Sequence, residues 1–120
     1  MKIKLVTAFV ILALFSGAVG AQDNIEKKKI AILISSVANL KGAIFIRNGS
    51  EYDGKKAAEH LRMKLQNVLV VQTADDFIRL CASKSFVSGN PYKIKSSGGK
   101  TITSEEYFRE KLKEYRPQRR

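Results

Sequence analysis

One segment constrains the fold of this chain more than any other. Residues 45–61 run from an apolar stretch through a polar turn into a helix, with no linker between them. Ala43 to Ile46 is predicted to be a strand or an extended connector. Asn48-Gly49 favours a turn because both residue types tolerate positive φ, and Asp53-Gly54 offers a second turn. A helix is then predicted from about Lys55 to Asn67. The segment is therefore predicted to connect an extended stretch directly to a helix through two turns.

The helix after these turns has an apolar face and a charged face. Its inward residues are predicted to be Ala57, Ala58, Leu61 and Leu65, and its water-facing residues Lys55, Lys56, Glu59, Arg62 and Lys64. His60, the only histidine of the chain, lies beside the apolar face. The following Val68 to Val71 is a strand or a buried connector, since periodicity does not separate the two.

A first helix is predicted upstream of this segment. Its apolar residues recur at helical spacing: Ile30, Leu33, Ile34, Val37 and Leu40. Asp23 or Asn24 can cap its start, because a side-chain oxygen there accepts from the free N–H groups of the first turn. Gly42 is predicted to end it in a left-handed cap.

A third helix, a β-hairpin and a fourth helix follow. Thr73 to Asp76 resembles a capping box, and the third helix carries Ala74, Phe77, Ile78 and Cys81 on one face. Residues 92–95 and 101–103 alternate around a Ser-Gly-rich tip, which indicates a hairpin. Ser104 is expected to cap the last helix, whose buried stripe is Phe108, Leu112 and Tyr115, and Pro117 to stop it. The predicted fold class is α+β: a mainly helical small domain of about four helices with a short hairpin.

The first 21 residues have the pattern of a secretory signal peptide. Lys2 and Lys4 precede an apolar run from Leu5 to Phe15, and Val19-Gly20-Ala21 is a small-residue exit, so cleavage is expected near Ala21. The run is short for a membrane span of roughly twenty residues, although a retained N-terminal anchor stays an alternative. We therefore expect an exported, periplasmic or secreted protein with one mature domain at residues 22–120 and a basic tail at residues 116–120.

The mature chain is strongly basic. Removal of residues 1–21 leaves 20 basic against 11 acidic residues, a formal charge of +9. Such a charge favours anionic partners, which in an exported protein are phosphate-bearing lipids, wall polymers or an acidic protein; nucleic acid is disfavoured outside the cytoplasm. The alternative interpretation is that this charge only keeps the protein surface solvated and soluble. With one cysteine, Cys81, an intramolecular disulfide is excluded.

The ordered strings of this sequence resemble those of the DUF5329 family of small exported bacterial proteins of unknown function. They are the following: Phe45-Ile46-Arg47-Asn48-Gly49, Ala57-Ala58-Glu59-His60-Leu61 with Lys64, Thr73-Ala74-Asp75-Asp76-Phe77-Ile78, Ala82-Ser83-Lys84-Ser85, Ser88-Gly89 and Pro91-Tyr92-Lys93-Ile94. The resemblance implies no activity. Many family members resemble one another in having a cysteine at the places held here by Ala43 and Ser96. If that pair is a disulfide in relatives, the resemblance implies that Ala43 and Ser96 are neighbours in space.

Three residues are candidates for a binding site: Arg47, Asn48 and His60. Arg47 and Asn48 offer a planar cation and an amide suited to a carboxylate or phosphate. The competing interpretation pairs Arg47 with Glu51, Asp53 or Glu59, lets Asn48 close its own turn, and has His60 hydrogen-bond a loop carbonyl or Asn48. His60 is otherwise a general base or a pH-sensitive contact.

The remaining chemistry-bearing residues favour structural roles. A lone histidine is weak evidence for metal, so neither a metal site nor a cofactor is predicted. Ser83, Ser85 and Ser88 lack a nucleophile-elbow sequence and are predicted to make loop hydrogen bonds. Cys81 is predicted to be buried, with a raised thiol pKa.

Three functions remain open. The first is a non-enzymatic exported domain that binds an anionic partner or envelope component, touching membranes only peripherally if at all. The alternative is a small hydrolase or transferase with His60 as general base, assisted by Glu59 or a loop serine. The third is an accessory protein that acts through an exposed apolar patch. No oligomeric state is predicted.

Overall fold

A computed structural model describes residues 24–116 of the chain. The predicted signal peptide, a cap at Asp23, the stop at Pro117 and nearly all of the basic tail lie outside the described residues. Within them the elements run in the following order: α1 (residues 24–38), β1 (Ile44–Arg47), β2 (Ser50–Tyr52), α2 (Gly54–Asn67), α3 (Ala74–Phe77) with a π-helical turn (Ile78–Ala82), β3 (Lys93–Lys95), β4 (Thr101–Thr103) and α4 (Ser104–Glu114). The predicted small α+β domain with four helices is confirmed.

The four strands form one antiparallel sheet in the order β2-β1-β3-β4. The predicted hairpin is β3 and β4. A second hairpin, β1 and β2, was not predicted as such. Asn48 and Gly49 connect its strands with φ values of 52° and 82°, and positive φ at both residues is what a tight two-residue hairpin turn requires. The turn prediction at Asn48-Gly49 is therefore confirmed, and the strand order leaves β2 at the edge of the sheet.

One row of apolar side chains crosses the sheet and faces the helices. The strand register pairs Phe45 with Tyr52 on one side and with Ile94 on the other, and Ile94 with Ile102. Directly opposed residues share a face of the sheet, so these four side chains lie on one side of it. They pack on a core formed largely by α1, α2, the α3 segment and α4: Ile30, Leu33, Ile34, Val37, Ala58, Leu61, Ala74, Phe77, Ile78, Cys81, Tyr107 and Phe108.

Helix α2 begins in close contact with the end of α1. A methyl group placed on Gly54 would lie 2.5 Å from the backbone oxygen of Val37 and 3.3 Å from that of Leu40. Glycine is therefore required here by the approach of two backbones. The Asp53 side chain accepts from the N–H of Lys56 and caps the helix. This contact fixes the direction in which α2 leaves the sheet.

Long-range hydrogen bonds join the other helices. Glu26 on α1 accepts from the backbone N–H of Ala74 at 2.8 Å, and this bond is the main reason that its pKa is lowered. The Tyr107 hydroxyl on α4 donates to Ser36 on α1 at 2.8 Å. Helix α1 is thus tied to both α3 and α4. None of the helices within residues 24–116 has the length and apolar character needed to cross a bilayer.

Local predictions differ from the structure at several places. Gly42 has φ of 72° but lies beyond the end of α1 at residue 38, so it shapes the connection to β1 and does not cap the helix. Thr103, not Ser104, caps α4, since its hydroxyl accepts from the N–H of Glu106. The Thr73–Asp76 capping box is confirmed.

The connection after α2, residues 68–71, was predicted to be a strand or a buried connector, and it is not a strand. Leu69 and Val70 are 90% and 69% exposed, whereas Val68 and Val71 are half-buried and pack against the core. The third helix is also shorter than an ordinary α-helix: after Phe77 it widens into a π-helical turn that ends at Ala82. The predicted burial of Ile78 and Cys81 is nevertheless confirmed.

Candidate functional site

A cavity of about 50 Å³ lies between α2 and the sheet at the end that carries the Asn48-Gly49 turn. We call it the α2–sheet cavity. Its walls come from β1, β2, α2, the π-helical turn, the start of β3 and the start of α4: Phe45, Ile46, Arg47, Tyr52, Ala57, His60, Leu61, Lys64, Ala82, Tyr92, Lys93, Ser104 and Phe108. The floor is apolar, whereas the polar groups come mostly from half-buried side chains.

Arg47 reaches the cavity because of strand alternation. It is two residues beyond buried Phe45, so both side chains are on the helix-facing side of β1. Its guanidinium lies 5.8 Å from the centre of the Tyr52 ring, within range of a cation–π contact. No ion pair of Arg47 with a described acid is present. The expected pairing with Glu51, Asp53 or Glu59 does not form; Glu59 approaches Lys56 on its own helix.

His60 faces Arg47 across the cavity and packs on Tyr52. The two rings meet edge to face, with centroids 4.8 Å apart and an interplanar angle of 71°. Partial burial is the main cause that lowers the pKa of His60, and the charges of Arg47 and Lys56 lower it further. Glu59 opposes them weakly. At neutral pH the ring is therefore an uncharged group beside a cation, ready to gain a proton if negative charge arrives.

Lys64 lies one helical turn after His60 and was wrongly predicted to face water. Its ammonium donates to the hydroxyl of Tyr92 at 2.7 Å and to the carbonyl of Lys84 at 2.9 Å. It also lies 4.0 Å from the ring centre of Phe86 and 4.7 Å from that of Tyr92. These contacts join α2 to the loop of residues 83–91. They bond the ammonium to neutral partners only, so its charge is not neutralised by them.

Asn48, unlike Arg47, hydrogen-bonds to the neighbouring loop and does not line the cavity. Its side-chain amide donates to the hydroxyl of Ser85 at 3.1 Å, and its carbonyl oxygen accepts from Ser88 at 2.5 Å. It neither closes its own turn nor contacts His60 by a hydrogen bond. The same loop is thus held at two places, by Asn48 from the β1–β2 turn and by Lys64 from α2. Asn48 positions the rim of the cavity and is not among its lining residues.

The charge of the α2–sheet cavity is one-sided. Arg47 and Lys64 contribute cationic side chains, and no aspartate or glutamate is among the lining residues. Lys93 also borders the cavity, but it alternates with buried Ile94, which directs its side chain to the opposite face of the sheet. The volume is enough for a few water molecules or one compact polar group. The arrangement suits a small oxyanion whose oxygens accept from Arg47 while any attached carbon lies on the apolar floor.

The loop serines do not converge on His60. Ser83 donates to the carbonyl of Ile78 at 2.6 Å, and Ser85 accepts from the backbone N–H groups of Val87 and Ser88. None of the three predicted serines lines the cavity. The prediction that they make structural hydrogen bonds is confirmed. Cys81 is fully buried, and burial raises the pKa of its thiol. Residues 24–116 hold no cluster of three metal-ligating side chains.

Sequence reasoning missed Tyr52, Lys64 and Tyr92 as residues of the site. Two signals were available. A two-residue turn at Asn48-Gly49 sets the register that opposes Tyr52 to Phe45, which puts Tyr52 on the same face as Arg47. Residues four apart share a face of a helix, so Lys64 follows His60. Tyr92 depends on the long loop before β3, for which no local pattern exists.

A second, larger hollow of about 860 Å³ runs between α1 and the end of α2. Its lining includes Glu26, Lys27, Arg62 and Leu69. Charges of both signs are present, and Glu26 is already engaged by Ala74 and Lys29. This groove therefore offers a less selective environment for an anion than the α2–sheet cavity does.

The register of β1 and β3 also bears on the pair Ala43 and Ser96. Ile44 is opposite Lys95, so extending the ladder by one residue places Ala43 opposite Ser96. Both residues line a third hollow at that end of the sheet. This agrees with the expectation that the two positions are neighbours.

Comparison with known proteins places the chain in a family without assigning an activity. The sequence model of a family of unknown function, DUF5329, matches residues 24–116. The chain belongs to the DUF5329 family. It is 36% identical over 90 residues to a protein of Salmonella typhimurium described as uncharacterized protein YfeK, a match that covers 74% of this chain and 75% of that one. No solved structure shows a significant match to the chain. Membership of DUF5329 confirms the family resemblance of the sequence strings, and the site must be interpreted from its own geometry.

Proposed function

We propose that this DUF5329 domain is an exported, non-enzymatic binding protein that holds a compact oxyanion, a phosphate or carboxylate group, in the α2–sheet cavity. The observation that carries the proposal is the position of Arg47. Its guanidinium borders a cavity shared with His60 and has no acidic partner among the described residues. An anion would supply the missing counter-charge in a partly desolvated place, where charge-assisted hydrogen bonds are strongest.

Lys64 supports the same assignment from the other wall. It adds a second cation whose hydrogen bonds go to neutral oxygens. His60 would gain a proton as the anion enters and so strengthen the attraction. Asn48 keeps the part of a positioning residue, since it holds the loop of residues 83–91 against the rim. The proposal that the protein is exported rests on the signal-peptide pattern of residues 1–21. Mass spectrometry of the protein recovered from the cell envelope tests it, because the exported protein should lack these residues.

The hydrolase or transferase alternative receives less support from the geometry. A nucleophile must stand within hydrogen-bond reach of its base. Ser83, Ser85 and Ser88 are bonded to backbone groups or Asn48, and the cavity is lined by none of them. His60 borders a cationic wall without a carboxylate to orient it. The arrangement suits retention of an anion better than proton transfer.

Equilibrium binding by calorimetry tests the proposal. Inorganic phosphate and acetate are titrated into the purified protein, into Arg47→Ala and into Arg62→Ala at constant ionic strength. Arg62 is the matched control, because it removes the same charge from the other flank of α2, where it borders the second hollow. We expect Arg47→Ala to weaken binding about tenfold or more, the loss of one hydrogen bond to a charged group.

Arg62→Ala is expected to bind as the parent protein does. The proposal fails if neither anion binds the parent protein. It also fails if both arginine variants weaken binding equally, because the loss would then reflect net charge and not a specific site. Such a net-charge effect would also weaken with added salt, since salt screens charges beyond about 10 Å at 0.1 M.

A further inference from the structure

The loop beside the α2–sheet cavity presents two apolar side chains to water. Phe86 and Val87 are 64% and 96% exposed, and they are consecutive in the chain. Single exposed apolar side chains are common on protein surfaces. Two adjacent ones that include an aromatic ring form an exposed apolar patch, which is more informative. We call this feature the Phe86–Val87 tip.

The residues on both sides of the Phe86–Val87 tip are held by hydrogen bonds. Ser85 and Ser88, the residues that flank it, both hydrogen-bond to Asn48. The ring of Phe86 lies 4.0 Å from the ammonium of Lys64, which also lines the cavity. The tip is therefore pre-organised next to the cationic cavity, and it does not need to fold back onto the core to be ordered.

Basic side chains lie beside the tip. Lys64 contacts the ring of Phe86, and the exposed Lys84 lies two residues before it. The loop of residues 83–91 contains no aspartate or glutamate. An apolar tip in a basic surround matches a surface that is anionic outside and apolar beneath. Phosphate headgroups above acyl chains have this layering, and an acidic soluble protein lacks the apolar layer.

We propose that the oxyanion bound by this domain is the phosphate of an anionic lipid, and that the Phe86–Val87 tip inserts into the bilayer beside it. The inference rests on the proposed function, since it names the source of the anion. Arg47 and Lys64 take the headgroup while the two apolar side chains enter the interfacial region. Neither contribution alone gives stable attachment, because a small apolar anchor and a few basic residues each bind membranes weakly and reversibly.

Sedimentation with lipid vesicles tests this inference. The purified protein is mixed with vesicles of phosphatidylcholine, or of phosphatidylcholine containing phosphatidylglycerol, and its binding of inorganic phosphate is measured separately by calorimetry. The test variant is the double substitution Phe86→Ser, Val87→Ser. The matched control is Leu69→Ser, Val70→Ser, which removes an equally exposed apolar pair at the end of α2, away from the cavity lining.

We expect binding to the anionic vesicles only, reduced about tenfold or more in the tip variant and changed less than about twofold in the control pair. Phosphate binding in solution should be the same in all three proteins. If the tip variant sediments with anionic vesicles as the parent does, insertion of the tip is refuted. If neutral vesicles bind equally well, recognition of an anionic lipid is refuted. In both cases the anion site stands. If the parent protein binds acetate but no phosphate in calorimetry, the lipid-phosphate inference fails, and if it binds neither anion, the proposed function itself fails.

Discussion

Gly54→Ala is expected to destabilise the domain by pushing α2 away from α1. The added methyl carbon would stand 2.5 Å from the Val37 oxygen, whereas ordinary contact begins near about 3.4 Å, so the backbones must separate by about 0.9 Å. Neither neighbour is a flexible side chain. Overpacking of this kind costs about 1–3 kcal/mol, against which alanine regains up to about 1 kcal/mol of helix propensity.

We therefore expect a net loss of about 1–2 kcal/mol, which lowers the melting temperature of a domain of this size by roughly 5–15 °C. Thermal unfolding followed by circular dichroism measures it. Gly98→Ala is the control, because the nearest atom to its added methyl is the Ser96 hydroxyl at 3.8 Å. It should be neutral or slightly stabilising. Equal melting temperatures for the two variants would refute the close backbone contact between α2 and α1.

Three further outcomes are expected. Ala43→Cys with Ser96→Cys should close a disulfide on oxidation and stabilise the domain by up to about 4 kcal/mol; persistence of both thiols would contradict the register. Cys81 should react with a bulky thiol reagent only as fast as the protein unfolds, because it is buried with a raised pKa. Since the pKa of His60 is lowered from 6.5, the unfolded state binds more protons near that pH. The free energy of unfolding should then fall as pH drops through about 6.5. In His60→Gln, the free energy of unfolding measured with urea should depend less on pH across that range.

Much of the helical framework follows from local patterns. The stripe of α1, the extent of α2 and the capping box at Thr73 depend on residues close in sequence, where periodicity and side-chain capping decide the structure. The Asn48-Gly49 turn was predicted for the same reason. The missing step was to treat it as a hairpin turn, because the register of such a hairpin puts Arg47 and Tyr52 on one face of the sheet.

The other differences come from contacts across the fold. Lys64 is a residue type that usually faces water, yet its ammonium contacts Tyr92 and Phe86, which are distant in the sequence. Asn48 bonds to serines nearly forty positions away, which no local rule indicates. The exposure of Leu69 and Val70 likewise depends on where α2 ends relative to α1. Candidate residues can thus be recognised from sequence, whereas their division into binding and positioning residues requires the tertiary structure.

The pKa of His60, followed by proton NMR with and without inorganic phosphate, tests the central claim most directly. The chain has one histidine, so its ring signal needs no assignment among several. Burial is the main cause that lowers this pKa, and the positive charge of Arg47 lowers it further. An anion bound beside Arg47 offsets that second contribution. We predict that phosphate raises the pKa of His60 relative to chloride at equal ionic strength, and that Arg47→Ala abolishes the difference. A pKa that is the same in both salts, or a rise that persists in Arg47→Ala, would contradict the account.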